Sequence, residues 1–218
     1  KSTDRDHPID EKILELLESD KYQRYIKAFE DMVEYIDDQR NPTGINKYCR
    51  DYALTHGHLN FKKGKRKDPI TDGIIDANVV DNDNPYTPDD PEERRIIIID
   101  NASNLSLESG LKKMETIDKM SKYGITLRNQ LKFIFVLIQH QAQAQEGIEN
   151  QKLNKLKPSS DGLADCKTTT RDANLVLGLY SPFKYGLREY EGYDVTKFKN
   201  NIRFMQVIED RDNGAGGQ

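Results

Sequence analysis

"RRIIIIDNASNL" occupies residues 94–105, and the run of four isoleucines within it decides the predicted fold. Four consecutive β-branched residues lack the alternation of a half-solvated strand. The run therefore predicts a strand buried on both faces, as in parallel sheets covered by helices. In open α/β sheets the chemistry lies beyond the carboxyl ends of the strands. Asp100 follows the run directly, where a carboxylate can hold a metal ion or a water molecule. An apolar strand that ends in Asp is also common as a plain turn entry, so Asp100 alone leaves both interpretations open.

The composition predicts a single α/β domain. A chain of 218 residues can bury one substantial core and is short for two full domains. Charged residues make up 32% of the chain but the net charge is only -4, so any contact with nucleic acid must be local. No apolar run approaches the roughly 20 residues of a membrane span, and Cys49 and Cys166 match no zinc or disulfide spacing. We expect a soluble cytoplasmic protein without membrane contact, or one encoded by a phage or plasmid that acts in the bacterial cytoplasm.

Hydrophobic periodicity predicts further elements on both sides of the isoleucine run. The order of these elements predicts an α/β fold with a mostly parallel twisted sheet flanked by helices. Tyr25 and Phe29 are expected in its core. The predicted helices lie within 10–19, 21–32, 45–57 and 107–130, and the predicted strands lie within 32–36, 96–99, 133–141, 175–180 and the first part of 200–217.

Residues 58–93 differ from the rest of the chain, because they are rich in Asp, Asn, Pro and Lys and show no clear periodicity. Such a long segment predicts a surface loop inserted into the domain. Its basic cluster "KKGKRK", residues 62–67, favours a solvated loop tip, with a phosphate-contacting arm as the alternative.

Polar side chains follow three of the predicted strands: Asp100, Gln139 and Arg211. Such a set suits hydrolysis of a nucleoside triphosphate. A carboxylate holds Mg²⁺ directly or through water, an amide senses the terminal phosphate, and a guanidinium neutralises the charge that develops in the transition state. Each signal is weak alone, and the ordered set is more specific.

Four segments in this order resemble the RecA-like motor domain of the DnaB-type replicative DNA helicases. "IIIIDNASNL" is similar to the family's Walker B strand, and "FVLIQHQAQ" to the strand whose glutamine couples the nucleotide to a DNA-binding loop. "RDANLVLGLY" resembles the family's "QDAD" segment. "VIEDRDNGAGG" resembles its last motif, whose arginine reaches the nucleotide of the neighbouring subunit. The resemblance covers most of the chain except 58–93.

The chain departs from the family pattern at several positions. No GxxxxGK[ST] occurs, so the phosphate-cradling loop is missing, and "KST" at 1–3 does not complete one. The family's catalytic glutamate is also absent. Glu209 stands where a lysine usually precedes the arginine, and Ile138 stands where a serine usually precedes the glutamine. We therefore expect a partial P-loop NTPase core, 1–218, that lacks the Walker A strand and loop at its N-terminal side.

The resemblance also implies a DNA contact in the segment after Gln139. There the family has a loop that lies toward a central channel and contacts single-stranded DNA. Lys152, Lys155 and Lys157 are the candidates for phosphate contacts. Three lysines in a flexible solvated loop are an equally good interpretation.

The function that the resemblance implies is that of an ATP-dependent DNA helicase, which uses ATP and Mg²⁺ to translocate on single-stranded DNA as a hexameric ring. Asp100 would serve Mg²⁺, Gln139 would report the phosphate state, and Arg211 would act on the adjacent subunit's ATP. Primase or loader proteins are the further partners implied. This chain alone is expected to be inactive. The alternative is a catalytically idle RecA-like module, such as a helicase loader or regulator.

Overall fold

The computed structural model describes residues 11–142, 147 and 157–212, which divide into two compact units after Asp38. The α-helices are α1 (Glu11–Glu18), α2 (Asp20–Glu30), α3 (Pro42–Thr55), α4 (Lys113–Leu131), α5 (Thr169–Asp172) and α6 (Val195–Phe198). The strands are β1 (Gly57–Leu59), β2 (Phe61–Lys67), β3 (Ile74–Val80), β4 (Tyr86–Pro88), β5 (Ile96–Ile99), β6 (Ile134–Leu137), β7 (Leu175–Tyr180), β8 (Glu189–Tyr190), β9 (Tyr193–Asp194) and β10 (Phe204–Asp210).

Within the described residues the strands pair only two at a time. β5 and β6 are parallel, whereas β1–β4, β2–β3, β7–β10 and β8–β9 are antiparallel ladders. The predicted RecA-like core with one mostly parallel sheet is therefore wrong, and the fold is a mixed α/β arrangement of two-stranded sheets. The error lies in the pairing, because the strands within 175–180 and 200–217 were expected in the same sheet as β5 and β6 and instead pair with each other.

The parallel pair packs against α4, which connects its two strands. α3 and α4 form the centre of the second unit together with the turn that follows β5. Only one face of the pair is covered, since Ile96 and Ile98 are each 59% exposed whereas Ile99 is buried. The prediction that this strand is buried on both faces is therefore wrong. The residues that form the central core are Ile45, Cys49, Ala53, Tyr86, Ile99, Ala102, Leu105, Ile117, Met120, Leu127, Leu131, Phe133 and Cys166.

Local signals explain where α3 and α4 begin and end. Asn41 caps α3, because its side-chain oxygen accepts a hydrogen bond from the Gly44 amide at 2.8 Å, and Pro42 occupies the first turn. α4 ends at Lys132, which adopts the left-handed conformation. Gly124 does not interrupt this helix, although glycine is a poor helix former. It lies buried against the Phe135 ring of β6.

The first unit consists of α1, α2 and the chain that follows them. The hydroxyl of Ser19 caps α2 by accepting a hydrogen bond from the Tyr22 amide. Both helices were predicted, but Tyr25 and Phe29 are exposed, so their predicted place in a core is wrong. The strand predicted within 32–36 is also absent, because this stretch has no strand pairing.

Residues 58–93 are not the predicted unstructured loop. β2 and β3 form a regular antiparallel hairpin, whose turn is closed by the Asp68 side chain accepting from the Ile70 amide and the Asp68 amide donating to the Gly73 carbonyl. β1 and β4, which flank this hairpin in the sequence, form a second antiparallel ladder. Tyr86 of β4 is buried, so this part of the chain also contributes to the core.

A buried arginine joins this ladder to the parallel pair. Arg95 is 8% exposed and donates hydrogen bonds to the Tyr86 hydroxyl at 2.6 Å, to the His56 carbonyl at 3.0 Å and to the Glu93 carboxylate. Burial opposes the charge of Arg95, but its hydrogen bonds to Glu93 and Tyr86 outweigh this effect and raise its pKa. The hydrogen bond from Arg95 holds the pKa of Glu93 below its usual value. The Tyr86 hydroxyl also lies 2.8 Å from the Ala53 carbonyl oxygen, which ties α3 to the same point.

Within the parts of the chain that the structure describes, no helix is both long and apolar enough to cross a membrane.

Replacing Gly124 by alanine tests how α4 packs on β6. A Cβ atom built there would lie 2.5 Å from the Phe135 ring, so the helix or the ring must shift. We expect Gly124→Ala to lower the free energy of unfolding by about 1–3 kcal/mol, because overpacking outweighs the gain of about 1 kcal/mol in helix propensity. Urea denaturation measures this change. Gln130→Ala, at an exposed position of the same helix, is the control and should stay within about 0.5 kcal/mol; an equally stable Gly124→Ala protein would contradict the close packing.

The pairing of Glu93 with Arg95 predicts how stability depends on pH. The folded state depresses the pKa of Glu93 from its ordinary 4.5, so its contribution is fully present above pH 4.5 and is lost as the pH falls through the folded pKa. Glu93→Gln should therefore destabilise the protein at pH 7, and this difference should shrink as the pH falls below 4.5 and through the folded pKa, where wild-type Glu93 becomes protonated too. Urea midpoints from pH 7 to pH 3 measure it, with exposed Glu92→Gln as the control. A difference between wild type and Glu93→Gln that stays constant over this range is the opposing outcome.

Candidate functional site

The carboxyl ends of the two parallel strands carry the first part of the candidate site. The Ile138 amide donates to the Ile99 carbonyl at 3.0 Å, and the Ala102 amide donates to the Ile138 carbonyl at 2.8 Å. The contact between the two strand ends therefore continues past Asp100 to Ala102. Asp100 is exposed and makes no hydrogen bond or ion pair to any described residue. Its carboxylate is therefore available to a ligand at this edge.

Gln139 lies at the same edge, but its amide is engaged with protein. Its Nε2 donates to the Cys166 carbonyl at 2.6 Å and to the Ala164 carbonyl, and its Oε1 accepts from the Thr169 hydroxyl at 2.9 Å. The amide group thus uses both of its ends on the segment 164–169. The Ala164 amide also donates to the His140 carbonyl at 2.9 Å, which holds this segment along the end of β6.

A second set of polar side chains lies on the turn after Asp100. The Asn101 side-chain amide lies 3.1 Å from His140 Nε2, and its oxygen accepts from the Ser103 amide at 3.0 Å. The Ser103 hydroxyl donates to the Asp165 carboxylate at 2.6 Å. Asp165 has a positive φ of 62°, a conformation that Asp and Asn tolerate better than most residues. The turn after β5 is thereby connected to the same segment that Gln139 holds.

Helix α4 anchors the far end of this segment. The Thr168 hydroxyl donates to Asp118 at 2.9 Å, and the Ser121 hydroxyl donates to Asp172 at 2.7 Å. A hydrogen bond from Lys122, together with the one from Thr168, lowers the pKa of Asp118, which keeps this carboxylate ionised at neutral pH. The segment 164–172 is therefore fixed to two elements, the end of β6 and the side of α4.

The donor set at this edge fits Mg²⁺ only in the company of a nucleotide. Among the described residues no three His, Cys, Asp or Glu side chains converge to hold a metal. Mg²⁺ usually keeps several waters and takes one or two protein carboxylates plus phosphate oxygens. Asp100 can supply one such carboxylate, since it has no protein partner here.

Arg211 lies in the turn that follows β10. Its amide donates to the Asn174 carbonyl at 2.9 Å, which places it beside the start of β7. β7 and β10 are antiparallel and do not pair with β6, so Arg211 does not follow a strand of the pair that carries Asp100 and Gln139. Its side chain is exposed and makes no hydrogen bond or ion pair to a described residue. The structure thus brings together two of the three predicted catalytic residues.

Of the three lysines predicted to contact DNA, Lys152 and Lys155 lie outside the described residues. Lys157 is described and forms an ion pair with Glu191 at 2.8 Å. Its ammonium also lies 5.1 Å from the centre of the Tyr190 ring. The hydrogen bond with Glu191 is the main cause of its raised pKa. Lys157 is therefore partly neutralised within this chain.

Sequence reasoning missed the second half of the polar cluster. His140 directly follows Gln139, and Asn101 and Ser103 lie one and three residues after Asp100, so their proximity to the predicted residues was a usable signal. Asp165 and Thr169 had no such signal, because neither lies next to a predicted site residue in the sequence. Only the contacts of the folded chain bring them to the site.

The chain matches no protein-family model and no curated protein in the comparisons made.

The Gln139 contacts predict which segment loosens when they are removed. Gln139→Met keeps the side-chain size but deletes three hydrogen bonds, leaving the Thr169 hydroxyl and two carbonyl groups without this partner. We expect faster amide hydrogen exchange within 164–169, measured by mass spectrometry, with little change in α3. Gln130→Met is the control, since this residue is exposed on α4. Unchanged exchange in 164–169 would show that Gln139 does not hold the segment.

Proposed function

We propose that this chain is part of an ATP-dependent DNA helicase that acts on single-stranded DNA as a ring, with ATP and Mg²⁺ as cofactors. The observation that carries the proposal is the pair formed by Asp100 and Gln139 at the carboxyl ends of two neighbouring parallel strands. The Asp100 carboxylate has no partner among the described residues and can contact a ligand, whereas the Gln139 amide binds the segment 164–169. The proposal does not depend on the predicted parallel sheet, because function depends on the site and not on the fold.

In this proposal Asp100 orders Mg²⁺ or its water beside the phosphates. Bound Mg²⁺ supplies charge neutralisation at the β- and γ-phosphate oxygens. Gln139 acts as a positioning residue, since it joins the strand end to the segment 164–169. Arg211 serves the nucleotide of a neighbouring subunit, which is consistent with its exposed guanidinium on a different ladder. The 218 residues contain no GxxxxGK[ST], so hydrolysis needs a phosphate-binding loop from outside them.

One observation favours a second candidate, an interaction module without catalysis. The Gln139 amide is fully occupied by the segment 164–169, so it can reach a phosphate only if those contacts break. In such a module the amide would have a structural role alone. The two candidates differ in whether the full-length protein turns over ATP.

The test is DNA-stimulated ATP hydrolysis by the full-length protein. We expect Arg211→Ala to reduce kcat by about 10³-fold or more, the usual contribution of an arginine that neutralises transition-state charge. Asp100→Asn should also abolish most turnover. The controls are Arg203→Ala, which changes an exposed arginine just before the other end of β10, and Asp51→Asn on α3. The 218-residue chain alone is expected to be inactive.

Mixing the two inactive variants separates a role in the neighbouring subunit from one in the same subunit. A ring with both Asp100→Asn and Arg211→Ala subunits contains some interfaces in which both side chains are intact. Partial recovery of ATP hydrolysis on mixing supports the trans arrangement, and no recovery opposes it. No turnover by a folded wild-type protein, with or without DNA, would favour the interaction module.

A further inference from the structure

The β2–β3 hairpin presents one aromatic side chain followed by basic side chains along one face. The ladder is regular over seven residue pairs, from Phe61 opposite Val80 to Lys67 opposite Ile74. Since successive residues of a strand point to opposite faces, Phe61, Lys63 and Lys65 share one face. Residues two apart on a strand are separated by about 6.6 Å, so these side chains form an evenly spaced row.

Ion pairs at both ends fix the hairpin and leave its middle cationic. At the base, Lys62 contacts Asp81 and Asp83, each at 2.8 Å, and near the turn Lys67 contacts Asp72 at 2.6 Å. The hydrogen bond to Asp81 is the first cause of the raised pKa of Lys62, followed by the hydrogen bond to Asp83.

The three cations between these ends have no such partner. Lys63, Lys65 and Arg66 are exposed and make no ion pair or hydrogen bond to any described residue. Asp76 lies directly across from Lys65 and is the one acidic residue of the two strands, yet the two do not form an ion pair. The middle of the hairpin therefore carries excess positive charge in a chain whose net charge is -4.

The base of the hairpin is held firmly enough to present this face in one direction. The Asn60 side chain donates to the Asn84 carbonyl at 2.9 Å and to the Thr87 hydroxyl at 2.8 Å. β4 in turn is fixed by the buried contact between Tyr86 and Arg95. A partner that binds the hairpin does not have to order its base.

Charged residues on exposed strands also serve to prevent edge-to-edge aggregation. That role does not account for the apolar side chains beside them, because Phe61 is 58% exposed and Ile74 is 75% exposed on the same face. An exposed aromatic ring in a row with free lysines suits single-stranded nucleic acid, in which bases stack on aromatic side chains and phosphates contact cations.

We infer that the β2–β3 hairpin is a binding site for single-stranded DNA, in which Lys63 and Lys65 contact phosphates and Phe61 stacks on a base. This inference does not use the lysines predicted within 152–157, and the site needs no nucleotide. It rests on the proposed function only for the choice of DNA as the nucleic acid.

The test is fluorescence anisotropy of a labelled oligothymidylate with the full-length protein, without ATP, over a range of salt concentrations. Each phosphate contact to a single strand contributes about 0.7 to the slope of log K against log salt. The double variant Lys63→Gln/Lys65→Gln should therefore lose about 1.4 from that slope and bind several-fold more weakly at low salt. Asp76→Asn should tighten binding, because it removes the opposing charge.

Two controls separate this site from general charge effects. Lys27→Gln/Lys47→Gln makes the same change in net charge at exposed positions outside the hairpin, and it should leave the slope unchanged. Phe61→Leu keeps an apolar side chain and should weaken binding to the single strand more than binding to a duplex of equal length. Circular dichroism of each variant verifies that it is folded.

The inference is overturned if the hairpin double variant and the control double variant change binding equally, or if Asp76→Asn does not tighten it. Equal binding of duplex and single strand, with no effect of Phe61→Leu, overturns the assignment to single strands. Because the assay contains no ATP, its result is independent of hydrolysis. A protein without ATPase activity can still pass this test, and an active helicase can fail it.

Discussion

The second unit depends on the buried hydrogen bonds of one guanidinium group. Arg95 contacts the carbonyl at the end of α3, the hydroxyl of Tyr86 in β4 and the carboxylate of Glu93. Its own carbonyl accepts from the Ile134 amide at 2.8 Å, which begins the pairing of β5 with β6. Removing one partner of a buried ion pair typically costs about 3–5 kcal/mol, because the other charge stays uncompensated. The candidate edge and the base of the basic hairpin therefore depend on the same group.

Local signals were enough to predict the parts of the site that are adjacent in sequence. The β-branched run before Asp100 predicted a strand, and the apolar run before Gln139 predicted its neighbour. The helical periodicity between them predicted the connection that a parallel pair needs. Since parallel strands place their carboxyl ends at one edge, the proximity of Asp100 to Gln139 followed from these three elements. The parallel register of β5 and β6 confirms this part of the prediction.

Strand pairing beyond that unit could not be predicted, because it depends on contacts between residues that are distant in sequence. The apolar pattern of 175–180 suits a strand in any sheet, and it pairs with β10 and not with β6. The same limit applies to burial. Four isoleucines in a row are compatible with a strand covered on one face, and Ile96 and Ile98 are exposed. In 58–93 the charged composition predicted a loop, although the segment forms a hairpin. Apolar and polar residues alternate in the middle of β3, and the turn of the hairpin lies in "DPITDG".

Polar side chains without a partner in the protein can bind a ligand, whereas those with partners stabilise the fold. Gln139 forms hydrogen bonds through both ends of its amide, and Asp165 accepts from Ser103, so both stabilise the arrangement of the edge. Asp100 has no partner among the described residues, and neither do the cations in the middle of the hairpin. An exposed charge without a partner gives up little when it binds an oppositely charged ligand, because no internal contact has to break. The opposite charges of these two surfaces are the basis for proposing a cation at the strand edge and a nucleic acid at the hairpin.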